Sequence, residues 1–236
     1  FLVNHTVHHG THLGGALSAT DILTALYFHS MRVQPQNPDW EDRDVFILSK
    51  GHVGIALYYL LAKRGFFPIK DLSSYEETET IFGTHPSNKI PGAEVTTGSL
   101  GHGLSVGVGM AIVGKRDCKD YRVFVMLGDG ELQEGSVWEA TMAASHHKLD
   151  NLIAIVDRNK FQGGGMTERT LALEPIDAKF EAFGWSTMTI DGHDMEQIVQ
   201  TMDIIPFEED KPSLIVANTI KGKGVPFLEN TAESHI

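Results

Sequence analysis

The sequence of 236 residues has a single cysteine, Cys118. That excludes an internal disulfide and fits a reducing, cytoplasmic setting. Long apolar runs are missing too. The longest, "IALYYLLA" at residues 55–62, is far too short to span a bilayer. No signal-peptide pattern opens the sequence, which begins without Met. With no run long enough to span a bilayer, no membrane partner is expected. Positive charge is scarce. Nineteen Lys and Arg against 31 Asp and Glu leave a net charge of −12, with no basic run, which disfavours nucleic acid and anionic membranes as partners. There is no internal repeat, low-complexity stretch or linker. A Walker loop, a GxGxxG after a strand, a CxxC pair and a Ser/His/Asp order are all absent. What remains is 42% hydrophobic and rich in glycine (24) and histidine (12), the profile of one soluble globular domain.

Periodicity predicts an α/β fold. Ser18-Ala19-Thr20-Asp21 resembles a capping box, so a helix is expected to start there and run through residues 22–28. "RDVFILSKGH" reads as a buried strand entering a glycine turn, "GIALYYLLAKRG" as a helix stopped by Gly65 and Pro68, and "GHGLSVGVGMAIVGKR" as a small-residue helix. Residues 122–127 then form a strand, 134–147 a helix and 152–157 a second strand, a right-handed βαβ unit. A helix near 176–183 precedes "WSTMTIDGHD", a helix near 195–204 follows it, and the strand "SLIVANTI" completes a parallel sheet with helices on both faces.

The stretch "VFVMLGDGELQEG" at 123–135 delivers a carboxylate between two glycines at a strand end. In an open parallel sheet, ligands bind beyond the carboxyl ends of the strands. Asp129 follows one strand of the βαβ unit and Asn159 the next, so both side chains reach one point. A carboxylate, an amide oxygen and backbone carbonyls suit Mg²⁺ or Ca²⁺ better than zinc, and Mg²⁺ usually completes its shell with phosphate oxygens and water. Gly130 and the following helix start offer N–H groups to an anion. A tight Gly-Asp-Gly turn with Asn159 capping a loop is the bland alternative. Asp129 is expected on an open rim, where its loss would leave the fold intact.

"TTGSLGHGLSVGVG" holds a second set of candidates. Gly98, Gly101 and Gly103 permit close backbone approach to a flat ligand, while Gly103 and Gly107 share a helix face suited to helix or subunit packing. His12, His52, His85 and His102 each sit beside glycine or another turn former, where imidazole can move protons or bind hydroxyls and phosphate. His5, His8, His9, His29, His146 and His147 read as surface residues. Lys-Gly-Lys-Gly at 221–224 reads as a flexible turn, with a phosphate loop as the alternative.

Taken together, "GTHLGGALSATDIL", "DRDVFILSKGH", "GTHP", "TTGSLGHG", "GDGELQEG", "VDRNKFQ", "FEAFGW", "IDGHD" and "KPSLIVANTIKGKG" resemble, in order, the diphosphate-binding half of the transketolases. The resemblance implies a thiamine-diphosphate-binding fold (PP domain) covering 1–236, with thiamine diphosphate held through Mg²⁺ or Ca²⁺. By that resemblance Asp129, Asn159 and the Phe161 carbonyl would hold the metal. His52, the Gly130 amide and His235 would contact the diphosphate, and the backbone of Gly98, Ser99 and Leu100 would line the thiamine. His12, His85 and His235 would be catalytic, touching substrate hydroxyls and assisting proton transfer; the role of His193 is left open. The implied reaction moves a two-carbon ketol unit from a ketose phosphate to an aldose phosphate.

Two departures, His102 and a short connection at 114–121, look like the split transketolases. The pyrimidine-binding domain, which in the family supplies the glutamate that activates the cofactor, would then be a separate partner subunit in an α2β2 heterotetramer. The Gly103–Gly107 face is expected to form part of the subunit interface. The alternatives are a deoxyxylulose-phosphate synthase and a non-catalytic cofactor-binding subunit.

Overall fold

The computed structural model describes residues 2–3, 12–231 and 234. Helix α1 (Leu13–Ala25) runs into a wider π-type turn (Leu26–Ser30) and leads to strand β1 (Val45–Leu48). Helices α2 (Gly54–Arg64) and α3 (Gly103–Arg116) follow, then strand β2 (Val123–Gly128), helix α4 (Gly135–His146) and strand β3 (Leu152–Arg158). A small hairpin, β4 (Phe161–Gln162) and β5 (Gly165–Met166), and a helical turn α5 (Thr167–Thr170) come next. Helix α6 (Ile176–Ala182), strand β6 (Ser186–Asp191), helix α7 (Met195–Asp203) and strand β7 (Ser213–Asn218) complete the order.

Five strands form one parallel sheet in the order β1-β2-β3-β7-β6. Successive side chains of a strand point to opposite faces, and here both faces are covered. Phe124, Met126, Ile153 and Ile155 meet Ile22, Leu57, Leu61 and Ile198 of α1, α2 and α7 on one side. Val123, Val125, Leu127, Ala154 and Val156 meet Leu104, Val108, Val137 and Phe180 of α3, α4 and α6 on the other. Double coverage explains why these strands are apolar throughout rather than alternating. All five carboxyl ends lie on one edge, which is where the polar residues collect.

Two local expectations are corrected. Helix α1 begins at Leu13, five residues before Ser18, with the Ala16 amide donating to His12 O at 3.1 Å. Ser18 is not a cap but a buried residue whose hydroxyl donates to Asp157 Oδ2 at 2.7 Å. The capping-box spacing was present, yet the residues before it already propagate the helix. The second correction concerns Gly103 and Gly107. A Cβ on Gly107 would lie 2.6 Å from Val125 of β2, and one on Gly103 would lie 2.3 Å from the Ser49 hydroxyl. That helix face therefore packs on the chain's own sheet and is no subunit surface. Gly65, at φ 101°, ends α2 as its position in the sequence predicts.

Candidate active site

A cavity of about 490 Å³ opens at the carboxyl edge of the sheet. Its walls come from six places in the chain: His12 and Gly15 at the start of α1; Lys50 and His52 after β1; His85, Gly98 and Leu100 from the long connection; residues 128–131 and 133–134 at the end of β2; Asn159 and residues 161–163 after β3; and Lys221 after β7. Parallel register puts Gly128 beside Asp157, so the residues just past each strand, Asp129 and Asn159, emerge together.

Asp129 is 1% exposed, not on a rim as the sequence suggested. Its Oδ2 accepts from Arg158 Nη1 at 2.9 Å and from the Lys160 amide at 2.6 Å, while Oδ1 accepts from the Gly130 amide at 2.8 Å. The Gly130 proton, expected at the diphosphate, is thus committed to holding this carboxylate. Burial raises the Asp129 carboxyl above the ordinary range, with the Arg158 guanidinium working against it. Asn159 is buried as well. Its amide nitrogen donates to Asp157 Oδ2 at 3.3 Å and its Oδ1 accepts from the Phe161 amide at 3.0 Å. Those two bonds fix which end of the amide carries the oxygen. Asp129 Oδ1 and Asn159 Oδ1 each keep an acceptor position in the cavity wall. Among the described residues no group of three His, Cys, Asp or Glu side chains could hold a metal. An oxygen donor pair of this kind fits a hard divalent cation whose remaining ligands come from phosphate and water.

Behind this pair lies a charged centre that sequence reasoning missed. Asp157 is fully buried and accepts from Lys50 Nζ, Thr219 Oγ1, Ser18 Oγ and Asn159 Nδ2. Burial alone would raise the Asp157 carboxyl, but the Lys50 ammonium and the two hydroxyls bring it below the ordinary range. Lys50 and Lys221 are both buried in the cavity wall. Burial, with Lys50 nearby, lowers the Lys221 ammonium to about 8. The turn expected at 221–224 is present, yet its first lysine is a wall residue rather than a mobile solvent side chain. The available signal was a charge set directly against a buried strand, as in "FILSK" and "IVDR", since such a charge needs a partner.

Glu131 shows the same logic. It is 2% exposed, and its carboxylate accepts from the Ser49 hydroxyl, the Gly101 amide at 2.8 Å and the Gly128 amide at 3.0 Å. It therefore ties the ends of β1 and β2 to the 98–101 turn. That turn needs glycine, because Gly98 and Gly101 sit at φ 145° and 84°. Gly98 and Leu100 line the cavity; Ser99 between them is exposed and does not.

The candidate histidines divide. His12, His52 and His85 line the cavity, and the rings of His12 and His52 lie 5.0 Å apart. Burial, then the neighbouring His85 and Lys221, lowers the His12 imidazole below its usual value, so it is neutral at physiological pH. His102 is exposed and stays outside the lining, its Nδ1 3.1 Å from Leu100 O. His193 is structural: Nε2 accepts from the Ile220 amide at 2.8 Å, leaving Nδ1 to donate to Asp21 at 2.8 Å. His29 pairs with Asp203 on the surface, where His146 and His147 also lie. His5, His8, His9 and His235 fall outside the described residues.

Comparison with known proteins agrees with this geometry. The family model "Transketolase, thiamine diphosphate binding domain" matches residues 3–236. An apulose-4-phosphate transketolase subunit of Phocaeicola vulgatus is 47% identical over 95% of this chain and 80% of its own length. The 6-deoxy-6-sulfo-D-fructose transketolase subunit SqwG of a Clostridium species is 44% identical over 95% and 82%. Among solved structures, transketolase from Campylobacter jejuni superposes with a TM-score of 0.89 at 34% identity. Transketolase from Pichia stipitis in complex with sedoheptulose 7-phosphate gives 0.90 at 33%. Each covers 95% of this chain, which spans only 36% and 35% of those longer proteins. The family model over residues 3–236 and these relatives, on this fold and with a cavity walled by Asp129, Asn159, lysines and histidines, place the chain in the transketolase family, as its thiamine diphosphate binding domain.

Proposed function

We propose that this chain is the cofactor-binding subunit of a split transketolase that moves a two-carbon ketol unit from a ketose phosphate to an aldose phosphate. The observation that carries the reading is the pair of spare oxygen acceptors, Asp129 Oδ1 and Asn159 Oδ1, fixed by their other hydrogen bonds in a wall that also holds Lys50, Lys221 and His52. Asp129, Asn159 and the Phe161 carbonyl would hold Mg²⁺, or Ca²⁺ in its place. His52 and the two lysine ammonium groups would face the diphosphate, where fixed cations offset its charge. Gly98 and Leu100 would line the thiamine. Bound thiamine diphosphate supplies the carbon nucleophile and electron sink that ketol transfer requires.

The protein's own part is positioning and proton handling. His12, neutral at physiological pH, accepts a proton from a substrate hydroxyl, and His85, its neighbour in the cavity lining, orients the substrate and shares the transfer. Glu131 holds the 98–101 turn rather than exchanging protons, because its carboxylate is occupied by three donors. Of the lining carboxylates among the described residues, Asp129 and Glu131 are held by hydrogen bonds and Glu134 follows them at the expected diphosphate end, which supports a separate pyrimidine-binding subunit supplying the carboxylate that activates the far end of the thiamine. Two relatives named as subunits support the same division, and an α2β2 assembly is the arrangement favoured. No helix among the described residues is long and apolar enough to cross a membrane, and the lone cysteine fits a reducing cytoplasm.

The test combines the purified chain with its pyrimidine-domain partner, thiamine diphosphate and Mg²⁺, and follows ketol transfer. Activity is expected only on mixing, saturating near one to one, with a ketose phosphate but not pyruvate as donor. Full turnover by the isolated chain would refute the partner requirement. Turnover with pyruvate alone would favour a deoxyxylulose-phosphate synthase, and cofactor binding without turnover a non-catalytic subunit.

A further inference from the structure

Arg158 ends β3 and is buried, yet nothing in the proposed reaction uses it. Its guanidinium is held on three sides besides Asp129: Nε donates to Glu174 at 2.8 Å, Nη1 to the Thr167 hydroxyl at 2.7 Å and Nη2 to Glu168 at 3.0 Å. The segment that follows the hairpin thus grips the fork from outside and presses it against Asp129. An arginine so held keeps its charge and a rigid, planar set of donors.

Counting acceptors shows what this does. An ionised carboxylate has roughly four acceptor positions, two on each oxygen. On Asp129, Oδ2 has both in use, by Arg158 Nη1 and the Lys160 amide. Oδ1 has one in use, by the Gly130 amide. A single position on Oδ1 remains. Ca²⁺ readily takes both oxygens of a carboxylate and has flexible coordination, whereas Mg²⁺ takes single oxygens in a strict octahedron. We propose that Arg158 sets the cation preference of this site by closing Asp129 Oδ2, so that the carboxylate offers one oxygen and favours a small octahedral cation over Ca²⁺. The inference rests on the reading of Asp129 as a cation ligand.

Replacing Arg158 with Met reopens one position on Oδ2 while roughly keeping volume. It also removes a positive charge, which strengthens binding of any divalent cation. That effect is equal for Mg²⁺ and Ca²⁺ and cancels in the ratio of their affinities, so the ratio isolates the acceptor count. The experiment titrates Mg²⁺ and, separately, Ca²⁺ calorimetrically into the full chain with thiamine diphosphate and its partner subunit present. Arg158→Met is expected to shift the ratio toward Ca²⁺ by about tenfold, the lower end of effects seen for partners of metal ligands. If Arg158→Met does not fold, Thr167→Val/Glu174→Gln carries the test. It removes two anchors of the guanidinium without touching Asp129 and should shift the ratio the same way by roughly threefold, a smaller effect of the same kind. An unchanged ratio in a folded variant that still binds both cations overturns the role of Arg158 and leaves the cofactor reading standing. No cation binding by the native protein overturns both.

Discussion

The buried Lys50–Asp157 pair yields the sharpest quantitative prediction, made with Asp157→Asn. The substitution keeps the shape but removes the charge opposite Lys50, which is 1% exposed and, among the described residues, has the Gly15 carbonyl at 3.4 Å as its other hydrogen-bonded oxygen. The new amide group also brings N–H donors to a place where Lys50, Ser18, Thr219 and Asn159 all donate. Removing one partner of a buried ion pair costs about 3–5 kcal/mol. For a chain of this size that corresponds to a fall in Tm of roughly 6–20 °C, at about 2–4 °C per kcal/mol. The double variant Lys50→Met/Asp157→Asn leaves no unpaired buried charge and should recover much of the loss, with a coupling energy of about 1–3 kcal/mol in the cycle. Denaturant unfolding of the four proteins, without cofactor, measures it. A second readout follows from Asn159, whose amide Asp157 orients: in Asp157→Asn, Mg²⁺ affinity in the presence of thiamine diphosphate should fall by about 10–100-fold. A single variant as stable as the native protein, or two losses that simply add, would refute the argument that this pair is a coupled unit.

Other consequences are more local. His12→Ala and His85→Ala should each lower kcat/KM by about 10²-fold or more in the assembled enzyme, the scale of a positioned acid or base, with cofactor affinity retained; His146→Ala, on the helix surface, is the control, and equal damage there would undo the division of the histidines. Gly107→Ala brings a methyl within 2.6 Å of Val125, so it should destabilise the chain by about 1–3 kcal/mol in urea unfolding. Gel filtration should show its oligomeric state unchanged, because that face is internal. Asp44 accepts from Arg122 Nη2 at 2.7 Å and from the amides of Arg32 and Arg122 at 3.0 and 2.9 Å. Burial alone would raise its carboxyl, yet Arg122 and those amides hold it below the ordinary range. Its contribution is therefore complete above the unfolded-state value near 4 and disappears as pH falls through the lower folded-state value. Asp44→Asn should be less stable than the native protein at neutral pH and converge with it in acid, as unfolding at several pH values would show.

Much of this protein is written locally. The apolar runs at 123–128, 152–158 and 213–218 are strands because they are short, bounded by turn formers and buried on both faces. Asp129 and Asn159 could be placed at a ligand edge from the sequence because each directly follows a strand of one βαβ unit. Gly65 stops a helix for a reason internal to its own residue. Other features depend on pairing between distant segments, which periodicity does not reach. Lys50 and Asp157 are 107 residues apart and meet only because β1, β2 and β3 lie side by side in register. Thr219 reaches Asp157 because β7, the last of the described strands, lies beside β3 and not at an edge. The same order brings Lys221 to the cavity and gives Arg158 its carboxylates. Which face of α3 is internal was likewise undecided until Val125 closed against Gly107. A sequence shows that a buried charge needs a partner; only the packed sheet determines which residue that partner is, because the cost of leaving it unpaired is settled by three-dimensional contact and not by spacing along the chain.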